Sequence, residues 1–460
     1  MRSKQLLLTP LCAAIILGMA GQASAGGFGV TIQSATVAGN AATGHAMAED
    51  VSAMFYNPAL LYSMEGRQIN GGVALLNSDV TVTNTGSNLP DAAAGFPVIG
   101  ENIGEPGGLS VTPSFFYRGE PIMKGLVYGI GVNVPFGIHT EYDKDSFTRY
   151  EATESSLKTL NINPAVAYQL NENFEIGAGV NIQVGQTLLA AALDSYLTCQ
   201  SFVAAGAVPA ATCATLGLNS ASNAATDGSL SIEATGVGVG ANFGAVFRPA
   251  AGTTVSLGVR SPVTIDFEGE ADFTHSANLA ALGDAALTAA NLNDQDAEST
   301  LEMPASASLA MAHQVNDKLT VHGDITWTQW SSIPEVRVKF PDSALSDTVT
   351  DLQWEDTVRY GIGATYQMNE KTRLRAGVAM DPVPTPSPMN RTPRAPSSDN
   401  LWLSVGASHA ISKHFTIDAG LSLVKPSEAS VNYTGGNGYI TRADVESDVI
   451  GAAVSVNYRF

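Results

Sequence analysis

The chain has 460 residues, of which only 14% are charged, and its formal net charge is −20. Ordinary globular domains carry about 25% charged residues, so this chain is unusually poor in charge. The negative net charge argues against a nucleic-acid-binding protein, because such a protein needs a basic face. Beyond residue 25, no run of about 18 apolar residues lacks a charge or a turn former, which excludes a bundle of transmembrane helices. Long alternating segments without helical blocks argue against an α/β enzyme, and with 45 glycines they indicate a large β-protein.

The first 25 residues have the pattern of a secretory signal peptide. Arg2 and Lys4 precede an apolar stretch over 6–20, and the small residues 23–25 offer a cleavage site. We expect cleavage to leave a mature chain that begins at Gly26 outside the cytoplasm. A buried N-terminal helix is the alternative.

Residues 26–66 do not alternate and predict short helices and turns. The segment is rich in small residues and contains the triplet Asn57-Pro58-Ala59. A disordered periplasmic tail is the alternative, but apolar side chains such as Phe28 and Leu60 argue against it.

About fourteen segments after residue 66 alternate between apolar and small or polar side chains. In residues 450–460, Ile450, Val454 and Tyr458 share one face, and Ser455 and Asn457 lie on the other. The second face is generally Gly, Ser, Thr or Asn rather than Lys or Glu, which suits a barrel lumen better than a soluble sandwich. The predicted strands are 67–81, 109–118, 124–135, 157–169, 173–188, 230–247, 252–268, 299–314, 318–330, 354–368, 371–380, 400–411, 413–424 and 446–460.

The connections alternate between short turns, such as 171–172 and 316–317, and long loops, such as 189–229 and 269–298. Outer-membrane barrels have this organisation, with short periplasmic turns and long external loops, and only a closed barrel satisfies every backbone group in lipid. The sequence therefore predicts an all-β membrane protein, an antiparallel transmembrane β-barrel of about 14 strands over residues 67–460. Because so wide a barrel needs filling unless it is an open pore, we expect residues 26–66 to plug the lumen as a hatch.

Two cysteines remain after the predicted leader, Cys199 and Cys213, and both lie in one long loop. An even count in an oxidising compartment predicts a disulfide, which would contribute about 3 kcal/mol by closing a loop of about 15 residues. Two free thiols are the alternative. The 7 histidines show no second ligand at metal spacing, so neither a metal nor a cofactor is expected.

Several stretches resemble one known family in their number and order. They are GGFGVTIQSATVAGNAATGHAMAEDVSAMFYNPALL (26–61), VPFGIHTEYD (134–143), LKTLNINPAVAYQLN (157–171), RSPVTIDFEGEADF (260–273), LEMPASASLAM (301–311), DITWTQWS (324–331) and TPRAPSSDN (392–400). Together they resemble the outer-membrane transporters of long-chain fatty acids and aromatic hydrocarbons. The resemblance implies a fourteen-stranded barrel with an N-terminal hatch in the bacterial outer membrane.

The resemblance also implies a transport route. External loops capture the ligand, which moves to a pocket beside the hatch, and a hatch shift at Asn57, Pro58 and Ala59 releases it. It then leaves sideways at a kink in the third strand, assigned to Pro135, Phe136 and Gly137. The capture residues would be apolar side chains of the third and fourth long loops: Leu189, Leu193, Phe202, Leu279 and Leu282.

Each of these assignments has a plainer alternative. Apolar external loops are costly in water unless they bind a ligand or pack, and they could pack on each other only. A proline and a glycine weaken a strand ladder at residues 135–137, but they could simply form a turn that ends the strand. The pair Asn57-Pro58 is also a common helix cap or turn.

Four cations face the lumen by strand parity, namely Arg260, Arg359, Arg373 and Arg375. They could hold a ligand carboxylate, or they could pair with Asp324 and Asp418, and we favour pairing because buried charges need partners. Residues 183–189, where fatty-acid transporters of the family can carry basic side chains, contain no cation. A long-chain fatty acid is the favoured substrate, and a neutral aromatic or aliphatic hydrocarbon is the alternative.

The predicted function is passive outer-membrane transport of a hydrophobic molecule, because no energy-coupling feature is visible. We expect a monomer in the lipid bilayer, with acidic loops bridged to lipopolysaccharide by divalent cations, and no nucleic-acid partner. A general porin would lack the hatch and the apolar loops. An outer-membrane esterase or phospholipase needs a Ser and a His on one wall, and no such pair has suitable parity, so no enzyme is predicted. A surface-receptor role is compatible with the long loops.

Overall fold

The computed structural model describes residues 26–90 and 95–460, so the predicted leader, residues 1–25, lies outside the described part. One continuous antiparallel sheet contains 21 strands. The strands are β1 Gln68–Asn84, β2 Ile103–Gly104, β3 Gly108–Arg118, β4 Leu126–Asn133, β5 Gly137–Glu141, β6 Glu154–Asn171, β7 Phe174–Leu193, β8 Gly228–Ala250, β9 Thr253–Arg260, β10 Val263–Thr274, β11 Gln295–Met303, β12 Ser306–Asn316, β13 Leu319–Thr328, β14 Glu335–Lys339, β15 Thr348–Asp351, β16 Thr357–Gln367, β17 Thr372–Asp381, β18 Asn400–Ala410, β19 Phe415–Pro426, β20 Ala429–Thr434 and β21 Ile440–Arg459.

The sheet closes into a barrel because the last strand returns to the first. β1 pairs with β21 from Gln68 opposite Arg459 to Asn84 opposite Ala443, and β1 pairs with β3 on its other side. Fourteen strands form the barrel wall and would cross the membrane, and we call them the crossing strands. Each of the other strands either continues a crossing strand beyond a break or lies in the external loops. The predicted closed antiparallel β-barrel of 14 strands is confirmed.

Burial alternates along the crossing strands as the sequence predicts. In β18, Leu401, Leu403 and Val405 are exposed on the outside, while Trp402 and Ser404 between them are buried in the lumen. The exposed side chains are apolar, which suits a lipid-facing surface.

No helix within residues 26–90 and 95–460 is both long and apolar enough to cross a membrane.

Two predicted strands are wrong in one respect, because each is broken at a proline. The predicted strand 252–268 divides into β9 and β10 at Ser261 and Pro262, and the predicted strand 299–314 divides into β11 and β12 at Pro304 and Ala305. Proline has no N–H to donate to a ladder, so the pairing stops there and resumes beyond it. Pro304, at one of the two breaks, lines a cavity inside the barrel.

Within the described residues, the segment 26–66, which we call the hatch, lies in the lumen and contains three short helices. These are the α-helix α1 (Ala35–Ala38) and two 3-10 helices, Val51–Phe55 and Pro58–Leu61. Side chains cap their N-termini: Ser34 accepts from the Val37 N–H, Asp50 from the Ser52 N–H and Asn57 from the Ala59 N–H.

Glycines of the barrel allow the hatch backbone to approach the wall closely. A Cβ on Gly406 would lie 2.7 Å from the Cα of Gly39, and one on Gly420 would lie 2.6 Å from the carbonyl oxygen of Ala35. Gly177 makes the same kind of contact with the backbone of Pro58 and Ala59. These barrel glycines therefore allow backbone-to-backbone packing between wall and hatch.

Candidate ligand cavities between hatch and barrel

Barrel carboxylates hold the hatch mainly through its backbone. Asp324 accepts from the N–H of Gly44 at 2.6 Å and from the N–H of His45 at 3.0 Å. No arginine within the described residues pairs with Asp324, so the expected arginine partner for this carboxylate is wrong. Two backbone donors fixed by the loop satisfy the carboxylate without a cation.

Two of the predicted cations, Arg375 and Arg373, pair with the hatch carboxylate of Glu49. The guanidinium of Arg375 donates to Glu49 at 2.7 Å and lies 3.7 Å from Asp418, so its expected pairing with Asp418 is confirmed. Arg373 lies 3.7 Å from Glu49, and its side chain is 39% exposed. These two arginines therefore anchor the hatch and line neither of the two cavities described below.

Asn57 fixes the second half of the hatch against the wall. Its side-chain amide donates to the Ser256 hydroxyl at 2.7 Å and to the carbonyl oxygens of Ala245 at 3.0 Å and Leu257 at 3.2 Å. The residue is fully buried, as is Ala59. The three neighbours Asn57, Pro58 and Ala59 thus lie against β7, β8 and β9, where any shift of the hatch would have to break these contacts.

The other two predicted cations line a cavity of about 140 Å³ between the hatch and strands β9, β12, β13 and β16, which we call the arginine cavity. The Arg260 guanidinium donates to the Asn181 side chain at 2.5 Å and to the Phe55 carbonyl oxygen at 2.7 Å, and it lies 4.5 Å from the Phe55 ring centre. It forms no ion pair with any residue in the described part of the chain, although it is only 8% exposed. A buried guanidinium without an anion is unusual, because desolvating a charge is costly.

Arg359 lies in the same cavity but has partners. It donates to the carbonyl oxygen of Ala42 at 2.9 Å and to that of Ala41, and it lies 3.6 Å from the carboxylate of Asp381. Its Nε atom is buried without a hydrogen-bond partner, as is the hydroxyl of Thr326 in the cavity wall. The arginine cavity therefore offers two guanidinium groups and one carboxylate within largely apolar surroundings.

A second cavity, of about 110 Å³, lies on the external-loop side of β6, β7, β8, β10 and β11, and we call it the apolar cavity. Its lining is almost entirely hydrocarbon, with Leu157, Ile232, Phe267 and Leu301 among the side chains. Leu189, a predicted capture residue, also lines it. Leu189 and Leu193 belong to β7 rather than to the loop 189–229, because β7 and β8 stay paired as far as Leu193 and Gly228.

Four aromatic side chains separate the two cavities, and we call them the aromatic wall: Phe28, Phe136, Trp330 and Trp354. The Phe28 ring centre lies 5.0 Å from that of Trp330, 5.4 Å from that of Trp354 and 6.0 Å from that of Phe136. Phe136 and Trp330 line the arginine cavity, and Phe28 and Trp354 line the apolar cavity. Phe28 is the residue that the hatch contributes to this wall.

The third crossing strand is interrupted at residues 134–136, which we call the kink, between β4 and β5. Beside it, β3 pairs with β4 only over Phe115–Arg118, although β3 begins at Gly108, and β5 pairs with β6 on its other side. The hatch supplies the missing partners: Gly137 N–H donates to the Phe28 carbonyl, and Val30 N–H to the Pro135 carbonyl, both at 2.9 Å. Gln33 also donates to the Val134 carbonyl at 2.8 Å.

Three predicted capture residues, Phe202, Leu279 and Leu282, pack in one cluster of the external loops. The external helices are α2 (Ser195–Ala204), α3 (Thr212–Thr215), α4 (Ala277–Ala280) and α5 (Asp284–Ala289). Phe202 and Leu279 are buried in one cluster with the disulfide of Cys199 and Cys213, and Leu282 is partly buried against it. Leu193, at the end of β7, is half-buried.

Sequence reasoning missed Asp381, Trp330, Phe28 and Gln33 as lining or closing residues. The break at Pro304 and the aromatic pair Trp327 and Trp330 were the only signals in the sequence. The contacts that Phe28 and Gln33 of the hatch make with Phe136, Trp330 and Val134 join residues more than 100 positions apart and have no local pattern.

Comparison with known protein families and sequences identifies the family to which this chain is similar. The family described as "Outer membrane protein transport protein (OMPP1/FadL/TodX)" matches residues 16–460. The chain is 27% identical to outer membrane protein P1 of Haemophilus influenzae, covering 90% of this chain and 89% of that protein. It is 26% identical to a long-chain fatty acid transport protein of Escherichia coli, covering 95% of each.

Solved structures agree on the fold. A FadL homologue of Pseudomonas aeruginosa superimposes with a TM-score of 0.83 at 23% identity, over 94% of this chain and 100% of that one. The toluene transporter TodX of Pseudomonas putida gives 0.62 at 20% identity, over 89% and 94%. With the family pattern spanning nearly the whole chain, the protein belongs to the OMPP1/FadL/TodX family of outer-membrane proteins that transport hydrophobic molecules.

Proposed function

We propose that this protein carries long-chain fatty acids passively across the outer membrane. The observation behind the choice of a fatty acid is Arg260, a buried guanidinium in a cavity wall with no anionic partner in the described part of the chain. A ligand carboxylate would supply the missing charge and form charge-assisted hydrogen bonds, while the alkyl chain contacts the apolar lining. The relatives named as fatty acid transport proteins support the same choice.

The proposed route runs through the two cavities. The external-loop cluster around Phe202, Leu279 and Leu282 takes up the ligand, and Leu189 and Leu193 lie on the way to the apolar cavity. Movement of Phe28 then opens the aromatic wall to the arginine cavity. Exit into the bilayer follows beside residues 135–137, where β3 and β5 are not paired with each other. Rearrangement around Asn57, Pro58 and Ala59 accompanies the hatch movement.

A neutral hydrocarbon is the second candidate because of the apolar cavity. The charged residues in its lining are Glu298 and Arg394, and the side chain of Glu298 is exposed on the outer face of the barrel. A molecule without a head group would gain about 25 cal/mol for each Å² of its surface removed from water, and it would need no contact with Arg260. A relative in the structural comparison is named as a toluene transporter.

Uptake into proteoliposomes tests the proposal. The purified barrel is reconstituted without any energy source, and entry of oleate is followed with an internal fatty-acid-binding fluorophore. Protein-dependent entry down the gradient is expected, together with negligible ion conductance in planar bilayers, since the hatch fills the lumen. Oleate entry no faster than in empty liposomes would refute the substrate, and a large steady conductance would favour a general porin. Sedimentation of the purified protein as a monomer, together with uptake proportional to the amount of protein reconstituted, would agree with the expected oligomeric state.

Lipopolysaccharide remains the proposed partner of the outer surface. On the outer face of β10 and β11, Glu268 lies opposite Glu298 and Glu270 lies opposite Asp296, and all four side chains are exposed. Like charges opposite each other are destabilising unless cations screen them, so divalent cations shared with lipopolysaccharide phosphates would stabilise this face. Barrel stability in lipopolysaccharide that does not change on adding a chelator would count against the bridge.

A further inference from the structure

Arg394 carries a guanidinium that lines the apolar cavity. It belongs to the external loop 382–399, between β17 and β18. Its Nη1 atom donates to the Ser155 hydroxyl at 2.7 Å, to the Glu154 carbonyl oxygen at 3.2 Å and to the Ala190 carbonyl oxygen at 3.4 Å. These acceptors lie at the external ends of β6 and β7, so the guanidinium is fixed at the external-loop end of the cavity.

The rest of the Arg394 guanidinium has no partner. Within the described residues, its Nε and Nη2 atoms donate no hydrogen bond, although an arginine carries five N–H donors. Desolvation lowers the pKa of Arg394, and Glu151, the main opposing influence, acts only through space without forming an ion pair. Because a charge removed from water needs a partner, this site suits an anion that the described residues do not supply.

Thr392 adds a second unpartnered group, two residues away in the same loop. It lines the same cavity and is only 2% exposed, and its hydroxyl has no hydrogen-bond partner in the described part of the chain. Two hydroxyls of β5 and the residue after it hold the loop in place: Thr140 donates to the Arg394 carbonyl oxygen at 3.1 Å, and Tyr142 donates to the Pro393 carbonyl oxygen at 2.8 Å. Since an unsatisfied buried hydroxyl costs stability, its place beside Arg394 indicates a ligand that accepts hydrogen bonds.

The remainder of the apolar cavity suits an alkyl chain. Leu157, Phe267 and Trp354 line it, and Trp354 belongs to the aromatic wall that separates it from the arginine cavity. Burial of an alkyl chain against these side chains is favourable in proportion to the area removed from water. A molecule with a carboxylate at one end and a hydrocarbon chain at the other would therefore match both parts of the lining.

Arg394 and Arg260 are too far apart to hold one carboxylate together. Both contact β7, Arg394 at Ala190 and Arg260 at Asn181. At about 3.3 Å per residue, these two positions are roughly 30 Å apart along the strand. The two guanidinium groups therefore belong to two separate sites, one in each cavity.

We propose that Arg394 and Thr392 form a carboxylate clamp at the external-loop end of the apolar cavity, which selects molecules with an anionic head group before they reach the arginine cavity. The guanidinium forms charge-assisted hydrogen bonds through Nε and Nη2, and the Thr392 hydroxyl donates to the same carboxylate. The alkyl chain of the ligand then points toward the aromatic wall. The choice of ligand rests on the proposed transport of fatty acids, whereas the test of the clamp measures binding alone.

The test is a calorimetric titration of the detergent-solubilised barrel in an Arg260→Met background, where the deeper guanidinium is absent. Adding Arg394→Met should raise the Kd for oleate about tenfold, which corresponds to about 1.4 kcal/mol. Methyl oleate and 1-octadecene keep the chain but lack the charge, so their Kd values should change by less than about threefold. Arg391→Met is the matched control and should change no Kd, because Arg391 donates to the carbonyl oxygens of Ser397 and Ser430 and lines neither cavity.

Thr392→Val tests the clamp without disturbing the loop. The hydroxyl that it removes has no partner in the described part of the chain, so the melting temperature should not fall. The Kd for oleate should nevertheless rise by about three- to tenfold, because the hydrogen bond to the carboxylate is lost. This variant decides the question if Arg394→Met does not fold.

Three results would overturn the clamp. They are an oleate Kd that neither variant changes, an equal loss for oleate and 1-octadecene, and a loss that Arg391→Met produces to the same extent. Failure of the transport proposal is a different outcome. A barrel that loses oleate affinity in Arg394→Met but shows no oleate uptake would support the clamp and refute transport, whereas uptake with unchanged binding in Arg394→Met would do the reverse.

Discussion

Replacing Arg260 by methionine should weaken the binding of a fatty acid and leave that of a neutral hydrocarbon nearly unchanged. Methionine retains an unbranched apolar side chain and removes the guanidinium, which donates hydrogen bonds to Asn181 and to the Phe55 carbonyl oxygen and lies over the Phe55 ring. The change therefore removes no ion pair within the described part of the chain.

The expected magnitude follows from the contacts available to a carboxylate. A hydrogen bond to a charged group contributes about 1.5–3 kcal/mol, and each 1.4 kcal/mol is about a tenfold change in Kd. Arg260→Met should therefore raise the Kd for oleate by roughly 10- to 100-fold. For 1-octadecene the change should stay below about threefold, since burial of the alkyl chain is retained.

Isothermal titration of the detergent-solubilised barrel with both ligands measures the two constants. Arg373→Met is the matched control, because Arg373 is also an inward cation but is partly exposed and does not line the cavity. It should leave both constants unchanged. An equal loss for oleate and 1-octadecene in Arg260→Met, or no loss for oleate, would refute the carboxylate contact.

Three further changes test the hatch and the loops. Asn57→Ala removes the amide's contacts to β8 and β9 and should lower the free energy of unfolding by about 2–3 kcal/mol in a denaturant titration; an unchanged midpoint would contradict this. Phe28→Ala should join the two cavities and speed oleate entry into proteoliposomes, and a slower rate would argue against the aromatic wall as a barrier. Burial raises the pKa of Glu151, in the loop between β5 and β6, from 4.5 to about 7. The folded loops therefore bind the Glu151 proton more tightly than the unfolded loops do, and this difference stabilises the folded loops by at most about 3 kcal/mol. The stabilisation is fully present below pH 4.5 and is lost as the pH rises through about 7. Protease cleavage of the loops should accordingly be faster at about pH 8 than at about pH 5, and Glu151→Gln should remove the difference.

The strands could be predicted because their signal is local. Alternation in a segment such as 400–410 records lipid on one side and the lumen on the other, and each strand carries that record by itself. The interruptions were harder to predict. Pro262 and Pro304 lie within alternating segments, so the sequence pattern continues through both breaks. Only the strand pairing in the structure shows that β9 pairs with β12 and that β10 and β11 form a separate ladder.

The site could be predicted only in part. Parity correctly placed Arg260, Arg359 and Arg375 in the lumen, because it depends on position within a strand. It could not assign partners. The pair of Arg375 and Asp418 was expected, whereas Asp324 binds backbone N–H groups of the hatch 280 and 279 positions away.

The sequence by itself determined a membrane barrel with a hatch, because alternation, loop lengths and low charge each follow from the solvent that a segment meets. The tertiary structure alone decided which buried charges lack a partner and which glycines are needed. Gly377 and Gly406 look interchangeable with serine in a lumen-facing strand, yet each has hatch backbone where a Cβ would lie. Such contacts depend on where a distant segment crosses the wall, and neither segment records that position in its own residues.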